Sequence, residues 1–395
     1  MGARIVAAAI AALLLAACTT PSPPPAPTPA AASPSPAAPS PSVPPATWQQ
    51  VALPAGLRPS ALATAGDDLL VGGRTDAPAP MLVRLHDGSP AARFRLAPAD
   101  PNAEAADLVR LTVAGDDVHA IGSMIAGAHS NPRLTVWDGS LSTSRLASRP
   151  QEFFTFGGHD AGPLLGTVVV DGRPVIAGSR VGGRGPYGLL WTRRGHTWTA
   201  QEPPSGLAST PDREFGFSAV AASGDRVVIT GDELGLAGGL TQLPVAFVGG
   251  VAGPWQHLPL PVPADPPPVP GQLTRATSVA CTAVGTTCWV AGWARGHALA
   301  WPLTVPAAGE ATAATPAVLP GDPPGGNDPT ALVTLAGGRP VVTTNANVPT
   351  TAVQCATGWL ALPGPQGRTT ALAAAGGSAY AVSDGVLWRL DLPSC

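Results

Sequence analysis

One short pattern constrains this chain more than any other feature. SAVAASGDRVVITGD, at residues 218–232, recurs in recognisable form along most of the sequence. Residues 218–222 suit an extended strand, a Ser-Gly-Asp turn follows, and a β-branched run at 227–230 stops at Gly231. Aligned on Gly231, the other copies end at Gly72, Gly122, Gly178, Gly292, Thr344 and Ser383, giving seven hairpins spaced by 50, 56, 53, 61, 52 and 39 residues. A lone hairpin cannot bury its apolar face, so such units must stack on one another. A period of roughly 40 to 60 residues, with room for four short strands in each, points to a radial array. The expectation is an all-β chain folded as a seven-bladed β-propeller.

Further apolar segments follow each hairpin, as four-stranded blades require. Third strands are expected at 81–85, 134–137, 188–191, 244–248 and 298–301, and fourth strands at 91–96, 197–201, 255–260 and 359–362. First strands are rich in Ala, Ser, Thr and Val, whereas eight of the ten tryptophans fall in third or fourth segments: Trp48, Trp137, Trp191, Trp198, Trp255, Trp301, Trp359 and Trp388. Blades converge at the axis, where only small side chains fit, and widen toward the rim, so the tryptophans read as packing. The seventh repeat lacks a fourth strand, since only DLPSC follows residue 390. Residues 47–54, TWQQVALP, resemble the fourth strands PWQHLPLP and GWLALPGP, and belong to no hairpin of their own. They are expected to complete the last blade and close the ring from both chain ends, removing its open edge. The propeller then occupies residues 47–395.

Ahead of it, Arg4 and the amino terminus supply positive charge, residues 5–15 are apolar but too few to span a bilayer, and Leu15-Ala16-Ala17-Cys18 follows. That tetrapeptide resembles the lipobox of bacterial lipoproteins. The resemblance implies a signal peptide over residues 1–17, cleavage before Cys18, fatty acylation of that cysteine, and residence on the outer face of the cytoplasmic membrane, held by the lipid anchor. The other reading is a secretory signal cut after an Ala-x-Ala site. Residues 18–46 are, after the cysteine, almost pure Pro, Ala, Ser and Thr, a disordered stalk that reaches about 80–90 Å at about 3.1 Å per residue. No other segment is apolar for 18 residues, so no transmembrane helix is expected. All 22 cationic side chains are Arg, a bias that resembles actinobacterial coding, and the net charge of −3 gives no general attraction to nucleic acid.

Beyond Cys18 four cysteines remain, an even number suited to an oxidising compartment, with three possible pairings. The stretch AlaCys-x6-CysTrpValAlaGly resembles a cysteine-bearing hairpin of some exported bacterial propellers. That resemblance implies a bond from Cys281 to Cys288, worth about 2.5 kcal/mol on chain-entropy grounds, and leaves Cys355 for Cys395, worth about 4 kcal/mol. The alternative is buried free thiols.

Residues 191–198, WTRRGHTW, resemble the second half of the Asp-box of sialidase-type propellers, and the chain as a whole is distantly similar to these and to WD-repeat-like propellers. The Ser and Asp that open the box are replaced by Trp191 and Arg193. A sialidase also needs a tyrosine nucleophile paired with a glutamate, and neither Tyr187 nor Tyr380 has one nearby in sequence. The acidic pairs Asp67-Asp68 and Asp116-Asp117 follow Gly in hairpin turns, where Asp bonds locally to backbone. GxSxG, P-loop, dinucleotide and CxxC signatures are absent, so no catalytic residue, metal site or cofactor is assigned.

One positional pattern remains. Just ahead of each first strand stands a polar residue: Arg58, Asp107, Asp160 beside His159, Arg213, Arg275, Asp328 and Arg368. These are expected to ring one mouth of the central channel, where guanidinium forks suit a carboxylate, sulfate or phosphate. The expected function is an envelope-anchored monomer that binds or scaffolds an envelope protein or an anionic or sugar ligand. The alternative is a glycosidase or a metal-dependent hydrolase at the mouth, the latter with Asp107, His159, Asp160, Asn327 and Asp328 as its candidates.

Overall fold

The computed structural model describes residues 46–125, 132–237, 239–264, 274–282, 285–321, 330–346 and 348–395. The signal peptide, Cys18 and nearly all of the stalk lie outside these, as do Asn327 and Asp328. The repeats become seven sheets of four or five strands, each built outward from an inner hairpin. The innermost strands are Leu57–Ala65, Asp107–Ala114, Ala161–Val170, Arg213–Ser223, Arg275–Cys281, Ala331–Ala336 and Thr369–Ala375, for blades 1 to 7 in order. Each packs against the next and the seventh against the first, so the ring closes as a seven-bladed β-propeller.

Its core is divided in the same way. Seven apolar clusters fill the seven gaps between neighbouring blades. The gap between blades 1 and 2 holds Leu70, Leu82, Phe94, Leu108 and Trp137, and that between blades 4 and 5 holds Val228, Val248, Val290 and Trp301. Trp137, Trp191 and Trp301 are fully enclosed, as the taper requires of large side chains on outer strands.

The marker glycines of blades 4 and 5 have a backbone cause, which in blade 1 falls one residue on, at Gly73 against the Arg58 carbonyl, whereas Gly72 and Gly122 face side chains. In six blades the first strand carries a bulge opposite the end of the second, between Pro59 and Ala61, Leu108 and Arg110, Leu164 and Gly166, Phe217 and Ala219, Ala276 and Ser278, and Thr369 and Ala371. The bulge pushes a carbonyl of the first strand toward the second. A Cβ on Gly231 would collide with the Gly216 carbonyl oxygen, and one on Gly292 with that of Arg275. Blade 6 pairs regularly from Ala331↔Thr344 to Ala336↔Arg339 with Thr344 at the marker position, while blade 7 keeps the bulge and carries Ser383 there.

The N-terminal strand closes the last blade, Gln49 pairing with Arg389 and Gln50 with Trp388. The Val51 amide donates to the Leu387 carbonyl at 2.9 Å. Trp48 reaches further, its indole N–H donating to Thr351 Oγ1 of blade 6 at 3.1 Å while its ring packs in the gap between blades 6 and 7.

Residues 91–96, expected as one fourth strand, are divided between blades. Ser89–Arg93 stays on blade 1, while Arg95–Ala97 pairs in parallel with Arg145–Arg149 at the edge of blade 2. Phe94 makes the break, because its buried ring turns into the gap between the two blades. Both disulfides are formed: Cys281 with Cys288, directly opposed across the inner hairpin of blade 5, and Cys355 with Cys395, which fastens the C-terminus to blade 6. Among the described residues no helix is long and apolar enough to cross a membrane.

Candidate functional site

Strand direction assigns the loops to two faces. The turn inside each inner hairpin lies on one face; the loops between second and third strands, and those from one blade to the next, lie on the other. On that second face the ring opens into a channel cavity of about 670 Å³ walled by residues of all seven innermost strands or their lead-ins.

Those of the sequence-predicted mouth residues that are described stand at the starts of these strands, and several have partners close by. Arg58 pairs with Asp76 through Nε at 2.6 Å, on the exposed rim. Asp107 accepts from Ser60 of blade 1, and burial raises its carboxyl above the ordinary range against the lowering effects of that hydrogen bond and of Arg74. The carboxyl of Asp160 is held low by its own backbone amide and, against a smaller effect of burial, by Arg180 at 3.1 Å. Arg275 lines the channel, yet its Nε lies 3.1 Å from Asp232, which also accepts from Gln242 at 2.9 Å. Arg213 acts on a pair formed by His257 and Glu233, 2.6 Å apart. Burial lowers the His257 imidazole, and Arg213 pushes in the same direction while Glu233 opposes. The Arg368 amide donates to Asp384 at 3.1 Å. Among the described residues no three His, Cys, Asp or Glu side chains converge as metal ligands.

Another cation, which the mouth pattern did not pick out, stands deeper in the ring. Arg110 follows the bulge of blade 2, where the other bulged strands place Ala61, Gly166, Ala219, Ser278 and Ala371. A long charged side chain therefore occupies a position the taper otherwise reserves for small ones. Its Nε donates to the Leu165 carbonyl of blade 3 at 3.0 Å and Nη1 to the Val109 carbonyl at 2.8 Å. Among the described residues it has no carboxylate partner at ion-pair distance. Although open to the channel, it is crowded by protein, and burial pushes its pKa below the ordinary range. In sequence it directly precedes the blade 2 copy of the repeat, LTVAGDDVHAIG.

Arg110 also borders a second cavity, a cleft of about 690 Å³ between blades 2 and 3. Ile121, Leu134, Phe153, Phe154, Phe156 and Leu164 supply apolar walls, and His159 lies among the lining residues. Its aromatic wall is the short turn Phe153–Phe156. Arg180 Nη2 donates to the carbonyls of Phe154 at 2.7 Å and Thr155 at 3.2 Å, and the Trp191 indole N–H donates to Thr155 at 2.9 Å. Phe156 packs on Trp191 with ring centroids 5.6 Å apart.

The same face carries most of the exposed apolar side chains. Of the ten large ones among the described residues, Ile125, Phe153, Phe154, Val181, Leu236, Leu240, Leu243 and Val348 lie at its loops or at strand ends beside them; the other two are Val318 and Leu360. A different polar cluster links blades 2 and 3 nearer the rim. There Asp138 lies 2.8 Å from His119 Nδ1 and 2.6 Å from Arg193. Burial raises the Asp138 carboxyl, but the His119 hydrogen bond and the Arg193 charge outweigh it and leave the group below its ordinary range.

No family model matches the sequence, and no curated protein matches it. Among solved structures the ring is similar to U3-55K, at 10% identity over 87% of this chain and 98% of that one with a TM-score of 0.51. It is also similar to the RRP9 WD40 repeats, at 9% identity over 88% of this chain and 99% of that one with a TM-score of 0.53. The likeness is one of fold.

Proposed function

We propose that this protein is an exported, lipid-anchored binding module that meets an envelope partner through the face bearing the channel mouth. The sequence Leu15-Ala16-Ala17-Cys18 supports the anchor and the compartment, and the Pro-rich residues 18–46 supply a spacer between membrane and ring. The observation that carries the binding role is the placement, among the described residues, of eight of ten large exposed apolar side chains on one face, beside two cavities. Solvent alone gives no reason for that asymmetry, and concentrated exposed apolar surface marks interaction sites. The opposite face is built of tight turns such as Gly224-Asp225, with small and charged residues.

Affinity capture from envelope extracts tests this reading. Ile125→Asp and Leu240→Asp should each lower recovery of the bound component about tenfold without changing the melting temperature, whereas Asp225→Arg, on the opposite face, should leave recovery intact. Equal recovery by all three variants overturns the assignment of the face.

A further inference from the structure

Arg110 and the cleft between blades 2 and 3 belong to one site. We propose that the cleft binds a small amphipathic carboxylate, with its charged head on the free donors of Arg110 at the channel end and its apolar body against Ile121, Leu134, Phe154, Phe156 and Leu164. The inference rests on the binding role of this face and names the chemical class that one part of it takes.

Three observations carry it. The first is size and form: about 690 Å³ lies within the range of small-molecule pockets, roughly 300–1,000 Å³, and the walls are mainly apolar, with the Arg110 guanidinium and His159 among the lining. The second is the cation. Arg110 spends Nε and Nη1 on two backbone carbonyls that fix its plane, and this leaves Nη2 donors and a full positive charge with no carboxylate among the described residues to meet them. A guanidinium held in this way is suited to a planar carboxylate, which it meets with charge-assisted hydrogen bonds. The third is that the site is built rather than incidental. Arg180 and Trp191 tie down the backbone of the aromatic turn, Phe156 is buried against Trp191, and Arg110 stands where five other blades have Ala, Gly or Ser. A neutral apolar ligand leaves Arg110 unsatisfied, while a bare anion such as acetate leaves the apolar walls wet.

Calorimetric titration of the intact protein with decanoate, decan-1-ol and acetate tests the assignment, all below their aggregation limits. Decanoate should bind at least roughly tenfold more tightly than decan-1-ol, the ratio expected for a hydrogen bond to a charged group, and acetate should not bind measurably. Arg110→Gln should bring decanoate down to the affinity of decan-1-ol. Arg110→Lys, which keeps the charge and loses the fork, should retain part of the difference, and guards against reading a folding defect as lost recognition. Phe154→Ser should weaken both ligands together. Equal affinities for decanoate and decan-1-ol in the wild type, no binding of either, or an unchanged preference in Arg110→Gln overturns the proposal. A protein that ignores decanoate but still loses its envelope partner on Leu240→Asp keeps the docking face and loses this ligand. If decanoate binds and Ile125→Asp and Leu240→Asp capture as well as wild type, the reverse holds.

Discussion

Gly231→Ala isolates the close approach that the bulge creates in the inner hairpin of blade 4. At Gly231 the added methyl meets backbone rather than a flexible side chain: the Gly216 carbonyl, and the Phe217 Cα at 3.1 Å. Backbone cannot step aside without moving the innermost strand of blade 4 off its bulge, so the cost belongs near the upper end of overpacking penalties, about 3 kcal/mol. Gly224→Ala is the matched control. That residue sits in the hairpin turn with φ +60° and nothing within 4 Å of the new Cβ, so only left-handed strain remains, about 1 kcal/mol. The unfolded-state entropy lost by replacing Gly is the same in both and cancels in the comparison. A ring of roughly 350 residues unfolds with an entropy near 0.7 kcal/mol/K, so Gly231→Ala should melt about 3 °C below Gly224→Ala. Urea titration should place the midpoint of Gly231→Ala lower with an unchanged slope, which excludes an altered unfolded state. Gly292→Ala, in blade 5, should repeat the larger effect. If Gly231→Ala is as stable as Gly224→Ala, close approach at the bulge is not why this hairpin ends in glycine.

Asp138→Asn should cost roughly 3 kcal/mol at pH 7 by leaving His119 and Arg193 without their carboxylate. Because the folded carboxyl titrates below its ordinary value, that contribution is present above about pH 4 and is lost as the pH falls through the folded pKa, so the melting curves of variant and wild type should converge in acid. Deleting residues 47–54 should lower the melting temperature of the ring far more than deleting residues 21–45, because it unpairs the edge at Arg389 and empties the place of Trp48 between blades 6 and 7; equal melting of the two deletions contradicts the closure. An alkyne fatty acid fed to cells should label the wild type and not Cys18→Ala, and equal labelling removes the anchor.

Much of the ring was legible because its determinants are local and repeated. A turn flanked by small residues on one side and β-branched residues on the other specifies a hairpin wherever it occurs, and seven copies specify how the hairpins must pack. The closing strand could be recognised because TWQQVALP had siblings in PWQHLPLP and GWLALPGP. The division of residues 91–96 could not, since it depends on which blade the Phe94 ring enters, a contact between segments far apart in sequence. The same limit applies to the site. The described polar residues stand at the starts of the first strands, but their partners, Asp76 for Arg58, Arg180 for Asp160 and Asp232 for Arg275, come from second strands or the loops after them, and spacing says nothing about those distances. Arg110 was visible as an exception within a column of small residues, yet the column exists only once the bulge is known.

The central claim is that this protein works through the face where the channel and the cleft open. Site-specific photo-crosslinking in intact cells tests it most directly, with the photoreactive side chain placed at Phe154 or Leu240 on that face, or at Asp171 or Asp225 on the other. The account expects a discrete crosslinked species from the first pair and none from the second. Crosslinks of equal yield from both faces, or from the turn face alone, contradict it.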